Sequence, residues 1–332
     1  MPKRLTAEAY VEGVLAGDRI ILSRAITLVE SQLPTDQQLA QQVLEQVLPH
    51  SGLSMRVGIT GVPGVGKSTF IETFGKHITS LGKRLAVLAV DPTSQRSGGS
   101  ILGDKTRMEE LSHDPLAYIR PSAAGNSLGG VARRTREAML LCEAAGFEVI
   151  LIETVGVGQS ETLVRGMVDF FLLLMLAGAG DELQGIKKGI IEMADTIAIT
   201  KADGPNKAPA EQAVREYQNA LHLYPIAESG WTPKVVTCSA LQQQGIAELW
   251  QLIQQYFALV QHSGYFTRNR QTQHLDWMYS YIRHALEDHF LNHPAVQNQI
   301  APTEQAVREG HELPVVAARR LLSLFLHSSC SS

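Results

Sequence analysis

Gly61, Val62, Pro63, Gly64, Val65, Gly66, Lys67 and Ser68 run consecutively and fit the spacing G-x-x-x-x-G-K-[ST]. The spacing serves phosphate chemistry. Glycines let backbone N–H groups turn inward around a phosphate chain, a lysine meets its outer charge, and a hydroxyl can reach a magnesium ion. The octet follows the apolar run Met55–Thr60 and opens a helical pattern. That context confirms the motif and adds the favourable field of a helix N-terminus. Lys67 is therefore expected at the β- and γ-phosphates and Ser68 at Mg²⁺, with Thr69 directly after it.

Hydrolysis needs further acids for the metal ion and a means of holding the attacking water. Asp91 ends the apolar run Leu85–Val90, and Glu153 ends Val149–Ile152. Parallel sheets bind ligands at the carboxyl ends of their strands, so both acids are expected at the site and not as ordinary loop acids. Asp104 lies in the glycine-rich stretch Gly98–Thr106, where position alone leaves a metal ligand and a solvated loop acid equally open.

Base selection has its own pattern. Thr200-Lys201-Ala202-Asp203 follows the apolar run Ile197–Ile199 and resembles the N-K-x-D element of GTPases. An aspartate there accepts both N–H donors of the guanine edge, a pair that adenine lacks, while the lysine stem packs over the ring. Ser239-Ala240-Leu241 resembles the S-A-L/K element, whose backbone N–H meets guanine O6. The two elements, in this order, favour GTP and GDP with Mg²⁺. One position departs from the pattern: Thr200 stands where asparagine is usual, which weakens one polar contact to the base or to the phosphate loop.

These residues need a scaffold. Short continuous apolar runs at Met55–Thr60, Leu85–Val90, Ala117–Arg120, Val149–Glu153, Phe170–Leu176, Thr196–Thr200 and Val235–Cys238 predict strands buried on both faces of a mainly parallel sheet. Helical patterns fall between them, giving an α/β, doubly wound, P-loop NTPase domain over 54–262. Residues 1–53 read as a helical extension. Residues 263–332 read as a helical hairpin with two apolar stripes, one from Trp277 to Phe290 and one from Leu313 to Leu326. His289 and His293 share a helical face, but the pattern supplies no third metal ligand.

Composition bounds the rest. The 332 residues carry a formal net charge of -4, which gives no bulk reason to expect nucleic acid as a partner. The most apolar run, Phe170–Ala179, is about half a membrane span, and no signal-peptide pattern is found, so a cytoplasmic protein without membrane contact is expected. Three widely separated cysteines, Cys142, Cys238 and Cys330, suit a reducing compartment.

With these residues in hand, the chain resembles the MeaB/ArgK-type P-loop GTPases. The resemblance rests on Gly61–Thr69, Val90–Ser94, Gly98–Met108, Ile152–Glu161 and Gly178–Gly189, and Glu153 matches the glutamate that marks this group's third GTPase motif. It implies a GTPase chaperone that gates adenosylcobalamin loading and protects an adenosylcobalamin-dependent acyl-CoA mutase, typically methylmalonyl-CoA mutase. It further implies a C-terminal homodimerisation arm, Mg²⁺ bound near Asp91, Asp104 and Glu153, and switches at Asp91–Asp104 and Glu153–Gln159. The segment Gly178–Gly189, with Lys187 and Lys188, would be an extra switch reporting nucleotide state to the mutase. Residue chemistry alone reads that segment as a solvated loop. The competing reading is a P-loop kinase, or an ATPase linked to amino-acid transport. A kinase needs an acceptor pocket and a base, and the sequence identifies neither.

Overall fold

The computed structural model describes residues 4–90, 108–121, 128–154, 160–178, 188–222, 224, 225 and 227–329. Each predicted apolar run forms a strand: β1 (Met55–Gly61), β2 (Leu85–Val90), β3 (Ala117–Arg120), β4 (Val149–Thr154), β5 (Phe170–Leu176), β6 (Thr196–Thr200) and β7 (Lys234–Thr237). Their order is β3-β2-β4-β1-β5-β6-β7, with every pairing parallel. Every residue of β2 and β4 is buried, which explains why they read as unbroken apolar runs. β1 lies at the centre: β2, β3 and β4 lie to one side of it and β5, β6 and β7 to the other. The chain therefore changes direction across the sheet beside β1, the position where such sheets bind ligands.

The first helices form where capping residues allow. Thr6 accepts from Ala9 N to start α1 (Ala7–Leu15), and Asp18 accepts from Ile20 N and Ile21 N to start α2 (Arg19–Glu30). Pro34 opens α3 (Pro34–Val47), a first-turn position that suits a residue lacking an N–H. Tyr10, Val14, Leu22, Ile26 and Val43 are fully buried and share one core with Leu88, Tyr118 and Ile150 of the sheet. That core also takes in α6 (Leu128–Ala144), so the N-terminal helices help to cover one sheet face. Between β2 and β3 lies the short α5 (Glu109–His113).

The other face is covered by α4 (Lys67–Ser80) and α10 (Ile246–His262). Phe70, Phe74, Trp250 and Phe257 fill it, with Phe74 edge-on to Trp250 at 6.1 Å. Each such side chain stabilises the fold by roughly 1.5–3 kcal/mol through burial. Around β5 and β6 a third cluster gathers Ile191 of α8 (Lys188–Met193) and Ala210, Ala213 and Tyr217 of α9 (Lys207–Leu221). α7 (Ser160–Arg165) contributes Val164 to the first core.

Charged residues gather at the amino-terminal edge of the sheet. Arg56 of β1 donates from Nε and Nη2 to Glu143 of α6 at 2.8 and 2.9 Å. Arg270, in α11 (Tyr265–Leu291), donates to both oxygens of Asp169 at 2.8 and 2.7 Å and to the carbonyls of Gly52 and Ser54. Asp169 also accepts from Arg56 N, and Gln273 donates to the Val168 carbonyl. Nearby, Asp195 accepts from Arg165 and from Phe171 N. Burial raises the Asp195 carboxyl to about 6, against the opposing pull of Arg165.

The chain divides into two compact units, Met1–Gln273 and His274–Ser332. In the second, α12 (Pro294–Arg308) and α13 (Pro314–Ser329) follow the end of α11. The helix α12 departs from the expected two-stripe hairpin. It adds a third helix, whose short stripe of Val296, Ile300 and Val307 has Pro302 within it. His289 and His293 both meet the Phe325 ring edge-on at 5.4 Å. Among the described residues, no helix is long and apolar enough to cross a membrane.

Candidate nucleotide site

The phosphate loop joins β1 to α4. Its backbone needs glycine at defined places: Gly64 has φ 79° and Gly66 has φ 95°. At Gly61 a Cβ would meet the Leu174 carbonyl at 2.5 Å, because β1 and β5 run side by side there. Among the described residues, a side chain at Gly64 would meet nothing within 4 Å.

Side chains take up the loop's carbonyl oxygens. Lys67 Nζ donates to Gly61 O at 2.8 Å and to Val62 O at 3.4 Å. Lys201 Nζ donates to Gly64 O at 2.9 Å, and Thr200 Oγ1 donates to Val65 O at 2.8 Å. Fixing carbonyls in this way leaves loop N–H groups as donors for an anion, the arrangement of a backbone nest. Pro63, which has no N–H, is exposed at the loop's outer turn. Ser68 and Thr69 follow in the first turn of α4, where the helix field also favours an anion.

Glu153 is buried near the carboxyl end of β4, in register with Ile59 of β1 and Ala89 of β2. Beside it, Thr154 Oγ1 donates to Thr60 Oγ1 at 2.7 Å and ties β4 to β1. Burial lowers the Lys67 pKa, while the carboxylates of Glu153 and Glu161 act in the other direction. Glu161, in the first turn of α7, is buried and joins the site electrostatically. As a single residue it has no spacing signal, and only its place in the Ile152–Glu161 string marks it.

The base-recognition elements also converge. Asp203 accepts from the Ser239 hydroxyl, and Ser239 Oγ in turn accepts from Gln242 N at 3.1 Å. Ala202 N donates to Cys238 O at 3.1 Å, so the loops after β6 and β7 are joined through backbone as well. Thr73 of α4 donates to the Ala240 carbonyl at 3.1 Å, linking the phosphate helix to the Ser239–Leu241 turn. Leu241 is 80% exposed at the rim. Lys201 adopts φ 53°, a left-handed conformation uncommon for a residue with a Cβ and a mark of a position under constraint. The Cys238 thiol behind this turn is pushed up to about 12 by burial, which makes it unreactive.

The described structure thus brings together Gly61–Thr69, Glu153, Lys201, Asp203 and Ser239–Leu241 at the carboxyl end of the sheet. Asp91, Asp104, the stretch 155–159 and the segment 179–187 lie outside the described residues. Thr60, Thr73 and Thr154 are supports that the sequence did not reveal, since a threonine on a strand or helix carries no motif of its own.

The cradle fits a nucleotide: a glycine loop, two cations whose hydrogen bonds go to carbonyls, and a carboxylate beside a paired serine. The family described as Methylmalonyl Co-A mutase-associated GTPase MeaB matches residues 22–295. GTPase ArgK of Escherichia coli (strain K12) is 48% identical over 293 residues, covering 88% of this chain and 87% of that protein. The methylmalonic aciduria type A homolog, mitochondrial, of Mus musculus is 50% identical over 323 residues, covering 94% of this chain and 78% of that protein. The crystal structure of a LAO/AO transport system kinase matches with a TM-score of 0.78 at 36% identity, over 98% of this chain and 99% of that one.

Proposed function

The chain belongs to the MeaB family of methylmalonyl-CoA mutase-associated GTPases, and on that premise we propose that its GTPase cycle gates adenosylcobalamin loading into an acyl-CoA mutase and protects that enzyme. The mutase is methylmalonyl-CoA mutase in this reading, in keeping with the family's description and with the mouse relative's name.

The observation that carries the reading is the joining of two recognition elements. Lys201 and Thr200 hold the phosphate loop, while Asp203 is held by Ser239 of the next loop. One ligand with a triphosphate at one end and a guanine edge at the other would engage both. Asp203 accepts from the guanine amino and imino groups, and the backbone of Ser239, Ala240 and Leu241 meets O6. Lys67 and the loop N–H groups stabilise charge developing on the transferred phosphoryl oxygens. Ser68 and Glu153, with Asp91 and Asp104, would hold Mg²⁺, which supplies charge neutralisation between the phosphates.

Partner binding needs surface. In the unit 274–332, Leu275, Met278, Leu286, Leu313, Leu322 and Leu326 are all exposed, which supports a homodimer through these helices. The segment with Lys187 and Lys188 is proposed to report nucleotide state to the mutase.

The test combines phosphate release with cofactor transfer. Purified protein should release phosphate from GTP with no acceptor present, and added mutase should accelerate release. Charge reversal at Lys188 should remove the acceleration and leave intrinsic hydrolysis intact. The kinase reading draws on the name of the matching solved structure. Phosphate release that required an added acceptor would favour it. Full-length protein that sediments as a monomer at micromolar concentration would remove the dimer from the account.

A further inference from the structure

We propose that this GTPase recognises guanine without reading N7, because Thr200 spends its only hydrogen-bond donor on the phosphate loop. The inference deepens the guanine reading above and rests on it.

Guanine presents N7 and O6 as acceptors on one edge. An asparagine amide has two N–H donors, so it can serve a loop carbonyl and a ring nitrogen together. A threonine hydroxyl has one O–H. Thr200 Oγ1 lies 2.8 Å from Val65 O and 3.2 Å from Met175 O. Both are carbonyl acceptors, so either one consumes the proton. The side chain is buried, with 5% of the residue exposed, which leaves little room for the hydroxyl to swing toward a base. Its remaining lone pairs offer nothing to N7, itself an acceptor.

The hydroxyl has a different task. Val65 is fully buried in the phosphate loop, and its carbonyl is held by a residue at the end of β6. Thr200 is therefore a positioning residue: it sets the loop's distance from the base-recognition strand. Guanine selection then falls to Asp203 and to the Ser239–Leu241 turn, which meet the opposite edge and O6. Nucleotides altered only at N7 should be accepted as readily as guanine nucleotides.

Calorimetric titration of full-length protein with GDP, 7-deaza-GDP and ADP tests this. The two guanine ligands should bind within about twofold of each other, because no hydrogen bond to N7 is lost. Thr200→Asn keeps a donor for the loop and gains one for the base, so it should prefer GDP over 7-deaza-GDP by about three- to tenfold. Thr200→Val should weaken both ligands by the same factor, and Thr200→Ser should restore them. A preference of the unaltered protein for GDP over 7-deaza-GDP of about threefold or more would overturn the proposal. So would a Thr200→Asn protein that still ignored N7. Equal binding of GDP and ADP would overturn the guanine reading itself, and this proposal with it, in a titration separate from the N7 comparison.

Discussion

The two ends of the parallel sheet use similar cations in opposite ways. At the amino-terminal edge, Arg56 and Arg270 are buried and donate to the carboxylates of Glu143 and Asp169. Their charge is met within the protein. At the carboxyl edge, Lys67 and Lys201 donate to backbone carbonyls of the phosphate loop. A carbonyl satisfies a donor's geometry but carries no net charge, so Lys201 keeps an attraction for an anion, and Lys67 does so beside the carboxylates of Glu153 and Glu161, which act on it without accepting these hydrogen bonds. The pairing partner, more than the cation, separates the end that holds the fold from the end that binds a ligand. β1 connects them: Arg56 lies near its start and Gly61 ends it.

The comparison can be broken most severely at the closed end. Arg270→Ala would leave Asp169 buried without its bidentate partner and would free the carbonyls of Gly52 and Ser54. A loss of about 3–5 kcal/mol in unfolding free energy is expected, measured by chemical denaturation. The same network sharpens the choice of a truncation. A cut near Gly264 would remove Arg270 and Gln273 from the core, whereas a cut after Gln273 keeps both.

At the open end, Lys67→Ala should do the reverse. Its bonds are to loop carbonyls at a half-buried position, so the denaturation midpoint should hold. GTP hydrolysis should fall by about 10²–10³-fold, measured as steady-state phosphate release. A variant that unfolded, or that hydrolysed normally, would erase the distinction between the ends.

Titration offers a third separation. The Asp195 carboxyl is raised to about 6 from 3.8 because burial penalises its charge. A raised folded value means that the group's stabilisation is full below pH 3.8 and is lost as pH rises through about 6. Unfolding free energy should therefore lose on the order of 3 kcal/mol from this group across that window. Asp195→Asn should flatten the profile there, measured by denaturation at a series of pH values. A smaller effect is expected at the base loop. Asp203→Asn should weaken GTP by about tenfold or more and improve xanthosine triphosphate, because xanthine places an acceptor where guanine places an amino donor.

Much of this organisation was legible in the sequence. Strands buried on both faces announce themselves as apolar runs, and all seven end within one residue of the expected position, β7 being shifted as a whole by one residue. The glycine spacing of Gly61–Ser68 and the paired elements at Thr200–Asp203 and Ser239–Leu241 drew attention to residues that do gather at one sheet end. The closed end was not legible. Arg56, Glu143, Asp169 and Arg270 are separated by up to 214 positions in sequence, and no local spacing joins them. The meaning of Thr200 was also hidden: its departure from asparagine reads as a loss until its bond to Val65 is seen. α12 stands apart from the two expected stripes because its own is short, Val296, Ile300 and Val307, and has Pro302 within it.

The central claim is that the open end is a guanine-nucleotide hydrolysis site. It is tested most directly by comparing kcat/KM for GTP and for ATP in the unaltered protein, with Mg²⁺ and no phosphate acceptor. GTP should be favoured on the order of a hundredfold or more, because adenine lacks the pair of N–H donors that guanine offers to the Asp203 carboxylate. Equal values for the two nucleotides, or no phosphate release from GTP, would contradict the account.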